Sequence, residues 1–166
     1  MFLLLLLVSL GGCRSHGYLR GNVFENSRVR LEIEPPGNDW DLVPMRGVDI
    51  AFIYPQDEST LLINSQCNEV QDVPLRALLG HLLIGFTEQK IVDEKLISFS
   101  EREALIQTIE AKLDGVSRKF KILVLKKDGC VFDIVLATTP MSFGGHEQVF
   151  DSLMQHFDAK VREDGK

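Results

Sequence analysis

Apolar and polar positions alternate along most of this chain, and the period of that alternation marks its elements. Val29, Leu31 and Ile33 interleave with Arg28, Arg30, Glu32 and Glu34. That is the period of two of a half-buried strand with one charged face. Pro35-Pro36-Gly37-Asn38-Asp39 stops it, and Trp40 follows in the loop. Val48, Ile50, Phe52 and Tyr54 share one face of a second strand. Pro55-Gln56-Asp57-Glu58 reads as a turn into a partner strand, Ser59 to Ser65. The period then changes. Leu75, Leu78, Leu79, Leu82, Leu83 and Phe86 form one continuous helical stripe, predicting a helix over 72–86. Asp72 can cap it, and Pro74 suits its first turn.

Residues 87–98 read as a strand through Ile91, Val92, Leu96 and Ile97. The next stretch supports two readings. Ser100-Glu101-Arg102-Glu103 has the form of a capping box, Leu105, Ile109 and Leu113 lie four apart, and Gly115 could end a helix. As a strand, Leu105, Ile109, Ala111 and Leu113 share a face, and Asp114-Gly115 is a two-residue hairpin turn. Val116, Phe120, Ile122 and Val124 then alternate with Ser117, Lys119 and Lys121, and Asp128-Gly129 supplies another such turn. The strand from Cys130 to Ala137 is apolar on both faces apart from Asp133, as a central strand covered on both sides would be. Pro140 to Gly145 is expected as a loop. Val149, Phe150, Leu153, Met154 and Phe157 form the stripe of a closing amphipathic helix, and Arg162–Lys166 a polar tail.

The N-terminus follows neither period. Phe2 to Leu10 is an apolar run, too short to span a bilayer and of the length of a secretory-signal core. Leu10-Gly11-Gly12-Cys13 resembles the lipobox of bacterial lipoproteins. The resemblance implies that residues 1–12 are a signal peptide, cleaved before a Cys13 that carries the lipid. Several acyl chains would anchor the chain stably, where one binds only marginally. Arg14, rather than an aspartate, follows the cysteine, which in that family favours the outer over the inner membrane. Residues 13–22 would be a lipidated tether, 23–160 a single α+β domain and 161–166 a polar tail.

Composition narrows the field. The chain has 166 residues and a net charge of −6, enough for one core and opposed to nucleic-acid binding. With Cys13 assigned to lipid, Cys67 and Cys130 remain. In an oxidising compartment they could be bridged; they could equally be two buried thiols. No glycine-bounded nucleophile turn and no phosphate loop is present. Cys67 with His81 could be written as a thiol and its base, but nothing in their spacing favours it over a buried or bridged cysteine. His146 and His156 are ten residues apart and point about 80° apart on a helix, so with Asp151 they do not make a compact metal site. Lys119, Lys121, Lys126 and Lys127 read as the solvated side of a hairpin. No cofactor or metal is expected.

Residues from about 18 to 160 resemble the PsbP-like α/β/α sandwich. The resemblance rests on Leu113-Asp114-Gly115-Val116, on Lys126-Lys127-Asp128-Gly129-Cys130-Val131-Phe132-Asp133, on Phe150 to Phe157 and on the Pro74–Phe86 helix. It implies a central antiparallel sheet with helices on its faces, and it selects the strand reading for 100–113. It also implies a non-catalytic binding or assembly module acting on an envelope protein complex. The alternatives are an envelope enzyme using a thiol at Cys67, and a carrier of a small apolar ligand beneath the Leu75–Phe86 helix.

Overall fold

Four successive long strands form the backbone of the molecule, which we describe from a computed structural model over residues 17–67 and 73–162. They are β7 (Thr87–Phe99), β8 (Arg102–Leu113), β9 (Val116–Lys127) and β10 (Cys130–Thr138). All three connections are two-residue turns with positive φ at both positions: Ser100-Glu101, Asp114-Gly115 and Asp128-Gly129. Such turns match the right-handed twist of the strands they join. The strand reading of 100–113 therefore holds. The apparent capping box at Ser100 is a hairpin turn, because the long pairing with β7 and β9 outweighs a local helical preference.

The chain begins with β1 (Tyr18–Arg20), β2 (Val23–Glu25), β3 (Val29–Glu32), β4 (Asp41–Leu42), β5 (Ile50–Tyr54) and β6 (Ser59–Gln66). Helix α1 is Leu75–Leu82, and α2 (Phe143–Gln155) is followed by β11 (Asp158–Val161). One antiparallel sheet runs β4-β5-β6-β10-β9-β8-β7, and a smaller one runs β1-β2-β3-β11. The fold is of α+β type, as expected.

The large sheet is covered on both faces. On one side, Ile63, Leu123, Leu125, Phe132 and Ile134 pack with Phe150, Leu153 and Phe157 of the α2 end and with Leu31 and Ala159 of the small sheet. On the other, α1 lays Leu79 over Leu105, Ile109, Phe120, Ile122 and Val124. Every residue from Phe120 to Leu125 is consequently buried.

Several boundaries differ from the sequence expectation. Tyr18–Arg20, read as tether, pairs with β2 as β1. Val161, read as tail, pairs with Val29, and the Arg162 amide donates to the Arg28 carbonyl. Helix α2 starts at Phe143, within the expected loop, and takes in Gly144 and Gly145. Helix α1 stops at Leu82; Leu83–Gly85 turn away, with Gly85 at φ 90°. The signal segment, Cys13, Arg14, the cap at Asp72 and residues 163–166 lie outside the described residues.

Candidate binding groove

The α1 face of the large sheet is not fully covered. The eight residues of α1 lie over its middle, and among the described residues β7 is an edge strand with no partner on its outer side. Between them opens a groove of about 610 Å³. Pro74, Leu75 and Arg76 form its helical wall; Leu96, Arg102, Glu103, Leu105 and Lys126 form its floor and far wall.

Sheet register explains the floor. Leu96, Leu105, Val124, Asp133 and Asn64 lie directly opposite one another across β7, β8, β9, β10 and β6. Directly opposed residues share a face, so they form one transverse row. Leu105 is buried under the start of α1, whereas Leu96 is 61% exposed at the edge. Ile91 and Val92 of β7 are also exposed. The pairing of β7 with β8 is irregular at 88–89 and at Val92, and regular from Asp93 to Phe99. A second groove, of about 550 Å³, adjoins the first and shares Leu96, Arg102 and Glu103.

Three cations stand around the first groove. Arg76 pairs with Glu94, which also accepts a bond from Gln107 at 2.6 Å. Arg102 pairs with Asp128 at 2.9 Å. Lys126 donates to the carbonyl of Val73 at 3.0 Å, tying the entry of α1 to β9.

Further along the row, Asp133 is the charged residue of a strand otherwise apolar on both faces. Desolvation pushes its carboxyl up to about 6. The signal was visible in sequence as a break in the apolar pattern, but without the register nothing gave its depth.

The sequence-derived candidates fall elsewhere. Cys67 and Cys130 form a disulfide, with S–S 2.03 Å, joining the end of β6 to the start of β10. Cys67 thus carries no thiol while the bond is closed. His146, Asp151 and His156 separate as their spacing implied. His146 Nε2 lies 2.9 Å from Asp57 Oδ2, and a carboxylate only accepts, so the ring donates there. Trp40 and Tyr54 pack around that imidazole. Burial acts to raise the Asp57 carboxyl, but hydrogen bonds from Ser59, His146 and Ser142 outweigh it and hold it well below the ordinary carboxylate range. His156 pairs instead with Glu34, and Asp151 with Lys121. Among the described residues no cluster of His, Cys, Asp and Glu could hold a metal ion.

The lysine run is a correction. Lys121 is buried rather than solvated, and its ammonium bonds Glu147 at 2.8 Å and Asp151 at 2.7 Å on α2. Burial lowers the Lys121 pKa, but these two carboxylates outweigh it and hold it above the usual value. Lys119 sits 4.5 Å from the centre of the Phe143 ring, and Lys127 donates to Ser100 Oγ. The alternation of β9 sends Lys126 to the α1 face and the other three to the α2 face.

No protein-family model and no curated protein matches this chain. Solved structures do. LpqN, involved in cell envelope biogenesis of Mycobacterium tuberculosis, superposes with TM-score 0.59 at 13% identity, over 80% of this chain and 84% of that one. Cyanobacterial PsbP from Synechocystis superposes with TM-score 0.57 at 14% identity, over 94% of this chain and 99% of that one. A protein of unknown function from Pseudomonas aeruginosa gives 0.53 at 13% identity, over 85% and 94%. At such identities the likeness is one of fold, and the fold is PsbP-like.

Proposed function

We propose that this chain is a non-catalytic binding or assembly module of a bacterial envelope. In this reading Cys13 is acylated, the domain faces the periplasm from a membrane, preferably the outer one, and it works on an envelope protein complex. The observation that carries the reading is the open α1 face, where the apolar side chains of Leu105 and Leu96 run out to the edge strand β7 and Leu96 is exposed. An apolar-floored groove beside an exposed leucine is a candidate binding site. The envelope role of LpqN, a protein of the same fold, agrees with it. Among the described residues no helix is long and apolar enough to cross a membrane.

Two experiments test it. The intact mass of protein isolated from bacterial membranes should equal residues 13–166 plus acyl groups; an uncleaved, unacylated chain rejects the anchor. A photocrosslinker at Leu96 should capture a discrete envelope partner, and monomer alone under all conditions counts against the module. A second reading, a carrier of a small ligand beside α1, is favoured by the groove volume, which lies in the range of small-molecule sites. The thiol-enzyme alternative requires Cys67 to label readily at neutral pH in the unreduced protein.

A further inference from the structure

We infer that the groove between α1 and β7 binds an anionic amphiphile, a single acyl chain bearing a carboxylate or phosphate head. The inference rests on the binding-module reading and names the ligand class for its open face. Four of the eight lining residues are apolar: Pro74, Leu75, Leu96 and Leu105. They form a continuous strip from the helix to the sheet edge, which suits a hydrocarbon chain and offers it few polar contacts.

Charge decides the head group. The whole chain carries −6, yet this lining holds Arg76, Arg102 and Lys126 against one carboxylate, Glu103. The three cations stand on three different elements, α1, β8 and β9. Arg102 already meets Asp128 in an exposed pair, 49% and 46% exposed, and Arg76, 77% exposed, meets a Glu94 that is 21% exposed and keeps its bond from Gln107 if the arginine turns away. Exposed ion pairs contribute little net free energy, so the Arg102 guanidinium can turn to a ligand oxygen at small cost, and the exposed Arg76 reaches the same groove from α1. A guanidinium binds a carboxylate or phosphate through two parallel N–H donors, which an uncharged sugar head does not match. The exposed Leu96 then has a role at the mouth, covering the chain of the ligand.

The test is calorimetric titration of the purified full chain with dodecyl phosphate below its micellar concentration. Laurate distinguishes a carboxylate head from a phosphate, and dodecyl maltoside serves as the uncharged probe. Saturable one-to-one binding is expected for one or both anions, with dodecyl maltoside at least tenfold weaker. The R76Q/R102Q double variant should lose at least tenfold, and Leu96→Asp a similar factor. All three positions are exposed, so a circular-dichroism melt matching the parent will verify folding. Equal affinity for the maltoside, unchanged binding in R76Q/R102Q, or no saturable binding overturns the inference. If the anions fail while Leu96 still crosslinks to an envelope protein, the ligand class falls and the module reading stands. If neither binds, both fall.

Discussion

Asp133 and Asp57 show how two carboxylates in one fold acquire opposite effects on stability. Asp133 is desolvated with no compensating partner in its pKa balance, so its folded pKa lies near 6, above an unfolded value of 3.8. A folded state that holds its proton more tightly is favoured at low pH, and that advantage disappears as pH rises through 4 to 6. Asp133→Asn should therefore stabilise the protein at pH 7.5 by roughly 2 kcal/mol, with the difference shrinking towards zero near pH 4. Urea unfolding at both pH values checks this, and a pH-independent difference rejects it. Asp57 behaves inversely. Its folded pKa is depressed, so its contribution is present above about pH 4 and disappears as pH falls below that. Asp57→Asn should cost about 1–2 kcal/mol at pH 7 and progressively less below pH 4. Backbone conformation is decided residue by residue as well. Glu101 occupies the left-handed region, φ 63°, where a side chain costs about 1 kcal/mol. Glu101→Gly should raise stability by about 0.5–1 kcal/mol, whereas Glu103→Gly, inside β8, should lower it.

The strand over 116–124 carries a clear period of two, 130–137 is apolar on both faces apart from Asp133, and each Asp-Gly turn marks a hairpin, whereas 87–98 is mixed in pattern. The short strands β1, β2, β4 and β11 were not read, whereas β3, as short as β11, was, because the alternation of Val29 and Leu31 continues through Ile33. The segment 100–113 shows why local signals mislead. Its helical pattern was genuine, but a 12-residue strand between β7 and β9 gains a backbone ladder on both sides. Helix α2 depends on chemistry that its own sequence does not show. Beside the packing of Phe150 and Leu153, its position is held by Lys121, which reaches Glu147 and Asp151, and by Asp57, which holds His146. Lys121→Met keeps the bulk and removes the cation. It should cost about 1–3 kcal/mol and speed amide exchange in α2 more than in α1. Equal acceleration in both helices would show that Lys121 does not anchor α2.

For the whole molecule, the Cys67–Cys130 bond is the strongest covalent constraint among the described residues. It closes a loop of 63 residues that contains α1, β7, β8 and β9. Chain-entropy reasoning gives a stabilisation of about 4 kcal/mol for a loop of this size. Replacing both cysteines by serine should lower unfolding stability by that amount, measured against the oxidised parent. The entry of α1, held by Lys126 at Val73, should loosen first. The groove beside α1 arises only at this scale. Its lining comes from residues 74–76, 96, 102–105 and 126, and no local pattern joins them.

What the sequence determined by itself was the α+β class, the two Asp-Gly hairpin turns, the amphipathic character of both helices and the two-sided burial of β10. These depend on near neighbours and on the period of apolar residues, which a chain carries in one dimension. Tertiary structure alone decided that Lys121 is buried, that Asp133 is desolvated, that His146 meets Asp57 and that Arg76 and Arg102 share a groove. Each of these depends on strand register and on which face a residue turns to. Register is fixed by pairing between segments tens of residues apart, so a one-residue shift would exchange the two faces and leave every local pattern intact.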